Sequence, residues 1–364
     1  MAKSYDIEVF GQPSLYEPKE RKFKVYMCEP DKGVNKDTGI LLFIAGYGGS
    51  ATSNIYIKMR QQFADNFNLV TVQCDYFGYK YMQDDKNLTI DAEVLKSYLS
   101  SDELSKIASS PNKYKYIDEF SEKKKITFNN KRKSEESYSD FNDMGLIQAM
   151  DNLTAISVVT EILKENGLQF NSNKIIAYGQ SHGAYIAYLC NRFSPNVFSG
   201  IIDNSSYIYP YYLDNERFIT GEYKQWSFNT YNDYIIRNII FDKEIYHLSN
   251  IYNQFKNDCN IISFIGEHDK MTNYNIKRKF VENIPLGKVE LVNSNNVDNV
   301  MFKSTKHGLN ADFIKMLEYV MKKYDLSRDR KNEPIFITNE IETTKYKYIC
   351  RYTKNIPTLE VVRK

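Results

Sequence analysis

Residues 39–50, GILLFIAGYGGS, place a continuous apolar run between glycines. A run of this kind reads as a strand buried on both faces. Burial on both faces demands a layer of helices above and below the sheet. The rest of the chain supplies them. Residues 54–67 carry Ile55, Met59, Phe63 and Phe67 at helical spacing, and LVTVQCDYFG (69–78) returns as a strand. Residues 141–166 have the pattern of a long amphipathic helix stopped by Gly167, followed by a strand at KIIAYG and a helix over 182–193. Further strands are expected at FSGIIDNSS (198–206), CNIISFIGEHD (259–269) and KVELV (288–292), with helices at 273–283 and about 309–324. Residues 5–10 and 22–28 alternate polar with apolar around the turn-rich GQPSLYEP and read as an antiparallel pair opening the sheet. Strand alternating with helix implies right-handed crossovers, hence a mainly parallel eight-stranded sheet flanked by helices. Ligands of such sheets bind at the carboxyl ends of the strands.

The chain has 364 residues, and its 48 basic and 46 acidic side chains leave a formal charge of +2. A nucleic-acid footprint needs clustered positive charge. The basic runs present, Lys123-Lys124-Lys125 and Lys131-Arg132-Lys133, alternate with acids and read as solvated surface. No nucleic-acid partner is expected. The five cysteines, Cys28, Cys74, Cys190, Cys259 and Cys350, are widely spaced and form no CxxC pair, as buried free thiols of a reducing compartment would be. The opening MAKSYDIEVF carries no apolar signal core, and no run approaches the ~18 apolar residues of a membrane span. The expectation is a cytoplasmic protein without a membrane span. No metal cluster, phosphate loop or dinucleotide fingerprint appears, so no metal and no cofactor are expected.

Gly179-Gln180-Ser181-His182-Gly183 fits G-x-S-x-G, with a strand before it and a helix after it. In that setting the motif is a nucleophile elbow, a sharp turn that lifts a serine oxygen for attack. The flanking residues must be small because the turn brings backbone close to backbone. Serine needs a base. The partners of an elbow serine follow as acid and then histidine. SFIGEHDK puts Asp269 in the loop leaving a strong strand, and STKHGLN puts His307 in a loop before the last helix. His307 is the expected base and Asp269 the residue that orients it. Glu267 is the rival acid, His268 an alternative base, and His247 a structural or surface residue. For an oxyanion hole, one donor is expected from the backbone N–H of His182. The other is expected from the loop AGYGG, through the N–H of Tyr47 with Gly48 as the alternate.

Together, IAGYGG, CDYFGYKY, AYGQSHG, GEHD and KHG resemble the α/β-hydrolase superfamily over roughly residues 20–80, 141–206 and 258–325. DYFGYKY resembles that family's D-x-x-G-x-G segment, except that Lys80 stands where glycine is frequent. The chain also resembles a bacterial family of such hydrolases met near flagellin-glycosylation genes. The resemblance implies an α/β-hydrolase core from 1–78, 141–206 and 251–325 with inserted cap or lid regions. Residues 79–140 are expected as an inserted helical lobe and 207–250 as an aromatic-rich cap. Trp226 and Tyr207 in that cap are candidates for lining a substrate pocket, against the plainer reading that its aromatics pack the cap onto the core. Residues 326–364 are expected as a C-terminal extension, with PIFITNEI and KYKYICRYT pairing as a hairpin.

The function these residues imply is a serine hydrolase using Ser181, His307 and Asp269 on an ester, thioester or amide. A small molecule or acylated sugar is the expected substrate. Acyl transfer to a carbohydrate hydroxyl uses the same intermediate, and a peptidase ranks lower because no charged specificity pocket is readable. A catalytically inactive binding protein on the same fold is the alternative of another class. The intact set of three residues argues against it.

Overall fold

A computed structural model describes residues 1–83, 90–110, 113–132, 135–330 and 333–364. Lys133 of the second basic run lies outside them. The strands are β1 (Lys3–Phe10), β2 (Lys22–Glu29), β3 (Gly39–Ile44), β4 (Leu69–Cys74), β5 (Ile126–Arg132), β6 (Ile175–Gln180), β7 (Gly200–Asn204), β8 (Arg217–Tyr223), β9 (Trp226–Asn232), β10 (Asn260–Gly266), β11 (Gly287–Val292), β12 (Asn339–Glu342), β13 (Tyr346–Thr353) and β14 (Ile356–Arg363). The helices are α1 (Asn54–Phe67), α2 (Ala92–Tyr98), α3 (Ser101–Ser109), α4 (Lys113–Lys123), α5 (Leu146–Glu165), α6 (His182–Phe193), α7 (Ile236–Ile239), α8 (Leu248–Ile251), α9 (Tyr274–Glu282) and α10 (Phe313–Lys323).

Eight strands form one sheet in the order β1-β2-β4-β3-β6-β7-β10-β11. Only β2 runs against its neighbours, and the six strands from β4 to β11 are parallel. This is the α/β-hydrolase fold. Strands β3, β4, β6 and β7 are buried along essentially their whole length, as their unbroken apolar runs require. Winding starts at β3, passes to β4 on one side and then crosses to β6 on the other. The carboxyl ends of β3 and β6 therefore flank the topological switch point, the place where open α/β sheets bind their ligands. The side chains of Ser53, Asn273 and Asp312 cap the first turns of α1, α9 and α10.

Helix α5 is buried on nearly all sides. It packs on β3, β4 and α6 and also under β14. By length and composition it is apolar enough to cross a membrane, with 83% of its most apolar window buried inside the fold. A search for uninterrupted apolar residues passes it over because Gln148, Asn152, Thr154 and Ser157 break the run.

Two compact units are present. The first comprises Met1–Gln83, Tyr138–Pro210 and Ile240–Lys364, and so includes the C-terminal residues. There the expected hairpin is a three-stranded sheet, β12-β13-β14, antiparallel throughout. The missed strand, β14, follows a two-residue turn at Lys354-Asn355. Both residues have positive φ, as a type I′ turn requires, but they lack its usual glycine.

The second unit comprises Asp84–Ser137 and Tyr211–Ile239. It corrects the expectation of a helical lobe and a separate cap. Strand β5 from one insertion pairs in parallel with β9 from the other, and β8 completes the sheet. Leu95, Leu99, Phe120, Ile126, Phe128, Trp226 and Phe228 make its core. Lys123, Lys124 and Lys131 of the basic runs pair with Glu119, Glu103 and Glu216. All five cysteines are free and buried.

At the start of α5 the buried Asp143 carboxylate accepts from the N–H groups of Ile147 (2.5 Å) and Gly145 (3.3 Å). Burial outweighs these bonds and raises its pKa to about 7. The folded protein keeps a proton there that the unfolded chain releases near pH ~4. Stability is therefore lost as pH rises from about 4 to about 7. The neutral variant Asp143→Asn is expected to raise the melting temperature by a few degrees at pH 8 and to leave it nearly unchanged near pH 4. Equal shifts at both pH values in thermal melts would contradict the assignment.

Candidate active site

Ser181 joins β6 to α6 with φ 53° and ψ −117°, a strained conformation for a residue with a side chain. The two flanking glycines are sterically required. A Cβ on Gly183 would lie 2.2 Å from the carbonyl oxygen of Ile44, and one on Gly179 would lie 2.3 Å from the nitrogen of Ala184. The elbow thus presses the first turn of α6 against the end of β3. The strained turn presents the Ser181 hydroxyl to a second loop.

His307 and Asp269 meet it there. His307 Nε2 lies 2.8 Å from Ser181 Oγ, and His307 Nδ1 lies 2.9 Å from Asp269 Oδ2. The carboxylate can only accept, so Nδ1 carries the proton and Nε2 is left to accept from the serine. The Asp269 side chain is fully buried while that of His307 is 24% exposed. The other carboxylate oxygen, Oδ1, accepts from the N–H groups of Met271 (2.8 Å) and Thr272 (3.2 Å). These bonds aim Oδ2 at the imidazole. Glu267 is exposed. His268 is exposed too, with Nδ1 2.9 Å from Thr305 Oγ1. His247 is partly buried and stacks on Tyr209 at 5.6 Å, and burial lowers its pKa. The structure joins none of these three to Ser181.

His182 is the first residue of α6, so its amide lies at the positive end of the helix, beside the serine oxygen. Tyr47 follows β3 in the loop that faces the elbow. The alternate donor Gly48 is corrected: its N–H already donates to the carbonyl of Met82 at 3.0 Å.

A buried polar chain fixes both of the remaining residues, and sequence reasoning missed most of it. Gln148 donates to Asn142 Oδ1 (2.9 Å), so its Oε1 faces His182 Nε2 (2.6 Å). His182 must therefore donate from Nε2, which leaves Nδ1 to accept from the Tyr207 hydroxyl. Asn142 Nδ2 donates to the Tyr47 hydroxyl (3.1 Å), which in turn donates to Met144 Sδ (3.0 Å). The Tyr47 ring meets the His182 ring edge-on at 5.2 Å. Tyr207 is thus a buried support behind the elbow rather than a pocket wall. Trp226 is corrected likewise. It is wholly buried in the core of the second unit, 5.3 Å from the Phe128 ring. Gln148 carried one visible signal, an amide among Leu146, Ile147, Ala149 and Met150, and Asn142 carried none. Among the described residues no group of three or more His, Cys, Asp or Glu side chains is arranged to hold a metal ion.

Two family models match the chain. Residues 19–222 match a protein family of unknown function, DUF2920, and residues 128–330 match the prolyl oligopeptidase family. No curated protein matches the sequence. Among solved structures, the chain is similar to Est1E from Butyrivibrio proteoclasticus with bound ferulic acid, at 11% identity and a TM-score of 0.44 over 83% of this chain and 93% of that one. It is similar to an S-formylglutathione hydrolase from Agrobacterium tumefaciens at 9% identity and a TM-score of 0.45, over 88% and 94%. The acylaminoacyl peptidase of Pyrococcus horikoshii shares 12% identity with a TM-score of 0.48, over 92% of this chain and 43% of that chain.

Gln148→Leu would strand the His182 N–H in an apolar site. The expected cost is about 1–3 kcal/mol of stability, measured by urea unfolding. Unchanged stability would show that the buried chain contributes nothing there.

Proposed function

The chain belongs to the prolyl oligopeptidase family and to DUF2920, and from that premise we propose that it is a serine hydrolase working through an acyl-enzyme. The observation that carries the reading is the line of hydrogen bonds from Ser181 Oγ to His307 Nε2 and from His307 Nδ1 to buried Asp269. A scaffold protein has no use for a histidine held on one side by a carboxylate and offered on the other to a strained serine.

Ser181 Oγ attacks the substrate carbonyl while His307 Nε2 takes its proton. Asp269 stabilises the imidazolium that forms. The oxyanion is held by the backbone N–H groups of His182 and Tyr47, and one such donor is worth about 3 kcal/mol of transition-state stabilisation. His307 then protonates the departing oxygen, sulfur or nitrogen. In the second half, water loses a proton to the same Nε2 and releases the acid. Substrates are esters, thioesters or amides, with acylated sugars among the esters. The prolyl oligopeptidase match favours a second reading, in which the scissile bond is a peptide.

A fluorophosphonate probe tests the chemistry. Wild type is expected to label and Ser181→Ala is not; a folded wild type that stays unlabelled would overturn the reading. Turnover of nitrophenyl esters, acetylated sugars, acyl thioesters and peptidyl nitroanilides then separates esterase from peptidase. Asp269→Asn is expected to lower kcat by roughly 10⁴, by analogy with the protease triad. Glu267→Gln should leave it unchanged, and a larger loss in that variant would move the acid role to Glu267.

A further inference from the structure

Strand β7 lies between β6, which delivers Ser181, and β10, which delivers Asp269. Its end, Asp203-Asn204-Ser205-Ser206, is wholly buried, and Ser205 bends away at φ 62°. These four residues touch all three segments of the site. The Ser181 N–H donates to the Asn204 carbonyl at 2.7 Å. Gly308, the residue that follows His307, is held on both sides. Gly308 N–H donates to Ser205 Oγ (3.1 Å), and the Gly308 carbonyl accepts from Asn204 Nδ2 (3.3 Å). The Ser205 hydroxyl donates to Asn204 Oδ1 at 3.0 Å, which closes the ring of bonds. The Ser205 N–H donates to Phe264 of β10, and the Ser206 carbonyl accepts from Thr272 Oγ1 (3.5 Å). Thr272 is one of the two residues whose amides hold Asp269.

Beneath this turn sits a charge that no step of the proposed reaction uses. Lys277 of α9 is completely buried, and its ammonium is 2.6 Å from Asp203 Oδ2. It also donates to the Ser206 carbonyl (3.2 Å) and the Ser206 hydroxyl. Tyr188 and Ser263 donate to the same carboxylate at 2.9 and 2.8 Å, and the Ser206 N–H donates to its other oxygen at 2.7 Å. Burying such a pair costs desolvation that apolar replacements avoid, often without loss of stability. Stability alone gives no reason to keep it.

We infer that Asp203, Asn204, Ser205 and Ser206 are positioning residues that hold the nucleophile, the acid loop and the histidine loop in one register, with the Lys277–Asp203 pair as the lock on Ser206. The inference rests on the serine-hydrolase reading. None of the five residues touches the reacting atoms, so their effect falls on the geometry of attack and not on substrate binding. Misplacement of reacting groups by about 1 Å costs on the order of 100-fold in rate.

The test is steady-state ester hydrolysis and fluorophosphonate labelling of the full chain as wild type, Ser205→Ala and the double variant Asp203→Asn/Lys277→Met, each checked by thermal melt. The double variant removes both charges, so no lone buried charge unfolds the protein. Ser205→Ala deletes one hydroxyl at a position whose backbone stays the same. The expected result is kcat lower by about 100-fold with KM within about twofold in folded variants. Turnover within about threefold of wild type in both variants overturns the inference. So does a raised KM at unchanged kcat, which would make the turn a binding element. A wild type that neither labels nor turns over removes the serine-hydrolase reading and this inference with it.

Discussion

The close approach of α6 to the end of β3 governs the site. Only hydrogen fits between the Gly183 Cα and the Ile44 carbonyl. Gly46, in the loop that carries Tyr47, comes as close to the elbow: a Cβ there would lie 2.6 Å from the carbonyl oxygen of Gln180. The parallel order β6-β7-β10 then places the acid loop two strands away from the nucleophile. Chemistry at this site is a matter of local backbone geometry first and of side-chain identity second.

Behind that surface the protein trades apolar packing for defined polar contacts. The amides of Asn142 and Gln148 each have their donors and acceptors assigned, which fixes the His182 tautomer and the Tyr47 ring together. A buried polar chain is costly unless every member is satisfied, and when satisfied it selects one arrangement. Helix α5, the source of Gln148, sits between the sheet with α6 on one side and β14 on the other. Covering both sides is what permits a helix so apolar to carry a few polar groups inward.

Much of this was legible along the chain, and the reasons differ by residue. The eight-stranded sheet followed from apolar runs alternating with helical spacing, because burial on both faces is a local pattern. Ser181 and Asp269 stood just past strand ends and His307 in the loop before the last helix, in the order an elbow requires, so their meeting could be anticipated without distances. Strand β5 could not be read: ITFNNKR is polar outside Ile126 and Phe128, and its partner β9 belongs to a different insertion. The aromatic richness of residues 207–250 fitted either a pocket lining or plain packing, and Trp226 and Phe228 fill a core shared with residues from 95 to 128. In the sequence nothing marks Lys277 off from the other basic residues of its helix, Arg278 and Lys279. Only the fold sets it against Asp203, on a strand whose acidic residue gave no hint of a partner.

The mixed sheet of the second unit has a consequence for synthesis. Strand β5 leaves the ribosome long before β9 exists, and α5, β6, α6 and β7 are made in between. Its hydrogen-bonding edge and the apolar faces of Ile126 and Phe128 must stay soluble through that interval. The charged neighbours in KKKITFNNKR fit a segment obliged to wait, because lysine and arginine beside a bare strand discourage it from joining a stranger.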